Sequence, residues 1–274
     1  MQTKIFKVVA IAMAMSAGVI APAAAVTLKV SITNNSGVGG LVLTPLLSVF
    51  QNGTFDTFNV GSAASAGLEA LAEDGNPAVI SAALQAAQPN SQSAVITAPQ
   101  GFAGAPLIEP GETGSTIVNV NGSINPFFSF LSMILPSNDQ FIGNGDPTAY
   151  RLFDAAGNFL GPRTINVTGL NAYDAGTEVN NGLGSPFAQV GPGAASNQNG
   201  VVSQATGINN FAGLTLPNGQ VLDLSKIGFA GNGNFDLATI TITAVPVPAA
   251  LPLMLLGFGT LGVVARRRKT SAAA

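Results

Sequence analysis

Only 8% of the 274 residues are charged, so carboxylates that fall in loops are the groups with chemistry to offer. Two stretches hold them. Ser132-Met133-Ile134-Leu135-Pro136-Ser137-Asn138-Asp139 ends in an acid after an apolar run, and Asp174-Ala175-Gly176-Thr177-Glu178 carries two acids four positions apart. Both follow apolar segments, where strand ends would converge at one pole of a β-sandwich. Loop carboxylates gathered there supply the hard oxygens that Ca²⁺ prefers, six to eight of them at about 2.3–2.6 Å. Solvated turn acids are the alternative reading of the same pattern.

Other chemistries are short of parts. The chain has no Cys, no His and no Trp. Disulfide and thiolate chemistry are therefore excluded, and the usual general base near neutral pH and the usual zinc ligand are missing. Ser and Thr are plentiful but have no His partner, and no Ser-x-x-Lys occurs between the terminal segments, so nucleophilic hydrolysis lacks its base. Paired carboxylates alone can hydrolyse glycosides. With Tyr150 and Tyr173 as the only Tyr residues and no Trp, a sugar platform is poor, and a glycosidase is a distant alternative. No enzymatic activity is expected. Gly231-Asn232-Gly233-Asn234-Phe235-Asp236 is similar to Gly-rich calcium repeats, but it is a single copy with its Asp out of register and reads as a turn.

The elements that must position these acids are mostly strands. Val26–Asn34 alternates, with Val26, Leu28, Val30 and Ile32 on one face. Residues 41–50 are continuously apolar with a break at Pro45. Residues 62–75 turn Ala-rich, with Glu69, Glu73 and Asp74, and stop at Gly75, which predicts a short helix; 77–87 predicts another. Alternation returns over 114–121, and Phe127–Leu135 reads as a central strand. Asp154-Ala155-Ala156-Gly157 reads as a hairpin turn between 149–153 and 158–160, and 189–210 as a long surface loop with one short strand. Residues 235–243 alternate again and predict the last strand. The expected fold class is mostly β, an antiparallel β-sandwich with short early helices.

Both ends look like targeting devices. Lys4 and Lys7 precede an apolar run over 8–20, and Ala23-Ala24-Ala25 gives the small residues of a cleavage site, so residues 1–25 read as a signal peptide cut after Ala25. At the other end Val245-Pro246-Val247-Pro248 leads into an apolar stretch over 249–265 and then Arg266-Arg267-Arg268-Lys269. At ~1.5 Å per helical residue that stretch reaches about 26 Å, a minimal transmembrane helix for a hydrocarbon core of about 30 Å. The basic cluster would stay cytoplasmic and leave residues 26–244 outside. This order, a Pro-containing tetrapeptide, a span and an Arg-rich end over 245–274, resembles the PEP-CTERM sorting signals, in particular the V-P-L-P-A variant. Val247 stands where that variant has Leu. The resemblance implies an exosortase as partner, cutting near the tetrapeptide.

Between the ends, four basic residues face thirteen acids, a net charge of −9. Nothing there offsets phosphate repulsion, so no nucleic-acid partner is expected. About 220 residues suffice for one large β domain.

The pair S-M-x-x-P-S-x-D and D-A-G-T-E, about 35 residues apart, resembles the spondin N-terminal domain. Val30-Ser31-Ile32-Thr33-Asn34, Gly61-Ser62-Ala63-Ala64-Ser65-Ala66-Gly67-Leu68 and Leu71-Ala72-Glu73-Asp74-Gly75 are similar to that family too, so the resemblance covers roughly 26–243. It implies a β-sandwich akin to the calcium-dependent phospholipid-binding sandwiches, holding one Ca²⁺. The implied ligands fall on Asp139, Asp174 and Glu178, the last a Glu where animal members have Asp. Gln140 replaces an aromatic residue, and the disulfides of animal members are missing. The expected function is non-enzymatic adhesion or matrix assembly at the cell surface, reached through an inner-membrane intermediate. A calcium-dependent lipid or polysaccharide binder at the envelope is the alternative. Extracellular polysaccharide or matrix, and the membrane through the C-terminal helix, are the expected partners.

Overall fold

The computed structural model describes residues 25–98, 106–186, 194–206, 208–216, 218–227 and 235–246. The expectations for residues 1–24, including Ala23, for Gly231 to Asn234, for Val247 and Pro248, for the span 249–265 and for Arg266, Arg267 and Arg268 lie outside them. Along the described chain come β1 (Val26–Asn34), β2 (Val42–Leu43), β3 (Leu46–Gln51), α1 (Ala66–Asp74), α2 (Ala78–Ala87) and β4 (Gln92–Ile96). Then follow β5 (Thr113–Val120), β6 (Phe127–Leu135), β7 (Gln140–Gly143), β8 (Tyr150–Arg151), β9 (Arg163–Thr168), β10 (Ala172–Asp174), β11 (Ser203–Gln204) and β12 (Asp236–Ala244).

Alternation in β1 sets the first sheet. Leu28, Val30 and Ile32 are sealed while Lys29 is exposed. The antiparallel register stacks Ile32 beside Ile240, Val30 beside Ile242 and Leu28 beside Val118. That gives the order β5-β1-β12-β9, with one apolar face. The larger sheet runs β11-β10-β7-β6-β3-β4, and β2 and β8 also pair with β6. Phe50, Phe128, Phe130 and Ile142 of this sheet share one core with Leu28, Ile32, Ile165 and Ile240 of the first. The two sheets therefore pack face to face. Each fully buried Leu, Ile or Phe side chain contributes about 1.5–3 kcal/mol of hydrophobic stabilisation.

The larger sheet is covered on its other face as well. Leu47, Val49, Leu131 and Phe141 pack against Leu68, Leu71, Ala72, Ile80 and Leu84 of the two helices. The sandwich thus carries a third, helical layer, which explains why every residue of β3 is buried. Helix α1 starts where Ser65 accepts a hydrogen bond from the Leu68 N–H, and it ends at Gly75, whose φ of 63° suits a residue without Cβ. Thr44 and Pro45 separate β2 from β3, as the Pro break predicts.

The hairpin turn at Asp154 forms, with the Asp154 carboxylate accepting from the N–H groups of Ala156 and Asn158 and the flanks joined by the antiparallel bridge of Phe153 to Phe159. The β8 segment before it also pairs with the start of β6, and Leu152 and Phe153 enter the core. One expectation is corrected. The stretch 189–210, expected as a surface loop with one short strand, supplies β11, but it also buries Val202 and Ile208, with Phe211 buried just beyond it. Val202 joins the core under the helices, and Ile208 and Phe211 join the core between the sheets.

The chain enters and leaves at one pole. Leu28 pairs with Ala244, and the Val245 N–H donates to the Thr27 carbonyl at 2.8 Å. At the opposite pole Asn34, almost fully buried, donates through Nδ2 to the carbonyls of Leu41 and Ile108, and Val42 pairs with Leu135. The loop to Asp139 begins there. Among the described residues no helix is long and apolar enough to cross a membrane.

Candidate functional site

After β6 the chain turns sharply at Pro136, whose preceding peptide bond is cis. Ser137 holds the turn by donating its hydroxyl to the Ile134 carbonyl and accepting from the Gln140 N–H at 3.0 Å. Asn138 then clamps the loop that follows β10. Its Oδ1 accepts from the N–H groups of Gly182 at 2.7 Å and Asn181 at 3.1 Å, and its Nδ2 donates to the Leu183 carbonyl at 2.8 Å.

Asp139 is wholly buried. Its Oδ2 accepts from the Thr177 N–H at 2.8 Å, the Glu178 N–H at 3.0 Å and the Thr177 hydroxyl at 3.3 Å. Oδ1 accepts from Asn180 Nδ2 at 2.5 Å. The same Asn180 amide donates to Asp174 Oδ2 at 2.8 Å, and Asp174 Oδ1 accepts from the Gly176 N–H at 2.8 Å. Two carboxylates thus converge on one NH₂ group. The D-A-G-T stretch owes its glycine to this geometry. Gly176 has φ +71°, and a Cβ there would stand 2.6 Å from the Val201 carbonyl oxygen.

Among the described residues no Lys or Arg is paired with either carboxylate. Burial, followed by the nearby Asp139 charge, pushes Asp174 from its ordinary 3.8 to about 6, although the bonds from Gly176 and Asn180 pull the other way. Burial also raises Glu178, with Asp139, Asp74 and Glu69 adding to the effect. Glu73 is raised by burial and by the charges of Glu178, Glu69 and Asp74. Among the described residues the ion pair is Lys226 with Asp223, at 3.9 Å on the half-exposed surface. A cavity of about 220 Å³ opens beside the loop, lined by Glu69, Glu73, Thr177, Asn197 and Asn199 among others.

The structure brings Asp139 and Asp174 together and leaves the Glu178 carboxylate apart. The latter accepts from Asn138 Nδ2 at 3.3 Å, while its backbone N–H serves Asp139. Among the described residues no three acids are grouped to hold a metal ion. In donor type the carboxylates suit a hard cation, which prefers oxygen. In geometry two of the three carboxylates fit, and the Asn180 NH₂ stands between them. Asp236, at the head of β12, accepts instead from Asn35 Nδ2 at 2.9 Å.

Sequence reasoning missed Asn180, the clamp role of Asn138, and the contribution of α1. The spacing of Glu69 and Glu73, four apart on a helix, was the available signal for the last. For Asn180 there was none, since its role exists only once the two loops meet.

No curated protein matches the chain. The Spondin_N family matches residues 42–205, more than half of the chain and including both carboxylate motifs. The match is narrower than the 26–243 suggested by the motifs, yet β1 and β12, which lie outside it, pair with each other and complete the first sheet. The chain belongs to the Spondin_N family.

Proposed function

We propose that this is a non-enzymatic binding domain of the cell exterior, acting in adhesion or matrix assembly, with one Ca²⁺ at the pole formed by Asp139 and Asp174. Membership of the Spondin_N family suggests an extracellular, non-enzymatic domain. The observation that carries the calcium reading is a fully buried carboxylate beside a second one pushed to about 6, with no Lys or Arg paired to either among the described residues. Burying such charges without compensation is costly, and a divalent cation removes the cost. Asp139 and Asp174 would hold the ion, and Glu178 would complete the set by turning from Asn138. When bound, the ion would fix the two loops to each other.

The N-terminal leader would export the domain and the 245–274 segment would retain it, with an exosortase reading Val245-Pro246-Val247-Pro248. A glycosidase is disfavoured by Asp139 itself. It is sealed from solvent and engaged by four donors, which leaves no cleft for a sugar ring, whereas a single ion would reach it once the Asn180 NH₂ turned aside. The test is a pull-down of the folded domain, residues 26–244, against the extracellular polymer of its own source, with calcium and with chelator. Capture that disappears with chelator is expected. Equal capture under both conditions removes calcium from the binding role, and release of reducing sugar would contradict the non-enzymatic reading.

A further inference from the structure

The pole that carries the carboxylates and the pole where the chain leaves are opposite ends of the molecule. β1 and β6 each run nine residues from one pole to the other, about 30 Å at ~3.3 Å per residue. Val26 and Val245 lie side by side at the exit pole, where the Val245 N–H is still held by the Thr27 carbonyl. The turn over residues 121–126, between the end of β5 and the start of β6, lies at the same pole. Asp139, Asp174 and the end of β6 lie at the other.

Only Pro246, Val247 and Pro248 separate the last paired residue from the apolar stretch that starts at Ala249. Three residues reach at most about 10 Å fully extended, at ~3.5 Å each. That is a third of the distance between the poles. Exposed valines beside the carboxylate loops, Val179 at 40% and Val201 at 47%, would otherwise suit contact with lipid.

We propose that the carboxylate pole cannot be turned face-on to the bilayer that holds the chain, and that it presents its ligand site outward to an extracellular polymer in trans. This rests on the reading of residues 249–265 as a membrane span. The domain can tilt on its tether, but a tilt brings a side of the sandwich toward lipid and not the far pole. Of the two binding roles open to the domain, matrix polymer is therefore retained and, as long as the span is uncut, the bilayer that holds it is excluded.

The chain has no Cys, so single labels can be placed without background. A donor dye is attached to Ser123→Cys at the exit pole or to Val179→Cys at the carboxylate pole. The full chain is reconstituted in phosphatidylcholine and phosphatidylglycerol vesicles whose headgroups carry an acceptor dye. Energy transfer is expected to be several-fold higher from Ser123→Cys than from Val179→Cys, with and without calcium. Equal transfer, or a calcium-driven rise at Val179→Cys, would overturn the proposal in favour of contact with the holding membrane. Failure of the chain to float with the vesicles is a separate readout, which overturns the membrane-span reading and this inference with it.

Discussion

Phe130 and Asp139 are equally sealed from water, yet burial acts on them in opposite directions. Phe130 sits between the two sheets against Phe128 and Tyr150, and every apolar contact it makes favours the fold. Asp139 gains nothing from being buried and is tolerated because four donors from residues 177–180 satisfy its oxygens. The core is thus stable by composition, while the pole is stable only by arrangement. A region of the second kind is where a ligand can change the balance.

The largest expected effect lies in the core. Phe130→Ala removes a ring between the sheets and should cost about 3–5 kcal/mol, which lowers the melting temperature by roughly 10 °C in a domain of this size. The loss should be the same in calcium and in chelator, as measured by calorimetry. A loss that depends on calcium would mean that core and pole are not separable.

Asn138→Ala should act at the pole alone. It leaves the N–H groups of Gly182 and Asn181 without their acceptor, at about 1–3 kcal/mol. Hydrogen exchange at the Gly182 amide should accelerate while amides of β1 and β12 stay protected. Unchanged exchange at Gly182 would show that the loop does not depend on this clamp.

The smallest effect is a pH dependence. Asp174 is pushed from 3.8 to about 6 in the folded protein. Between those values the folded state holds a proton that the unfolded chain releases, so stability falls as pH rises through the window and levels off above about 6. The contribution is about 1 kcal/mol or less, given the solvent screening of a partly exposed group. In chelator, the melting temperature should drop between pH 5 and pH 7, and Asp174→Asn should lose part of that drop. Glu73 and Glu178, also raised by burial, contribute in the same direction. An identical slope in Asp174→Asn would contradict the strained carboxylate pair.

The same contrast separates what was legible from what was not. β1, β6 and β12 could be read because alternation or a continuous apolar run extends over nine residues in each. Helix α1 announced itself through its Ala-rich spacing and the stop at Gly75, while the Ser65 cap came only with the structure. β7 and β10 run four and three residues, too short for a period to show, and β9 has only Ile165 and Val167 to mark its inner face. At the pole, the acids stood out because charge is rare in this chain. Their hydrogen-bonding partners did not, since the Asn180 amide meets Asp139 across 41 positions of sequence. The third layer was equally hidden, because the apolar stripe of a short helix does not say which sheet it will cover.

The most direct test of a cation at this pole is the melting temperature of residues 26–244 in calcium, in magnesium and in chelator. Extracellular calcium modules bind with dissociation constants of about 10⁻⁴–10⁻³ M. At the tight end, about 10 mM calcium is a roughly hundredfold excess and stabilises the fold by about 2.7 kcal/mol, or roughly 5–10 °C. The shift should be specific to calcium, since magnesium demands a tighter octahedral shell. It should disappear in Asp139→Asn and Asp174→Asn and survive in Asp236→Asn. The absence of a calcium-specific shift in the native chain, or one that persists in both pole variants, would contradict the account.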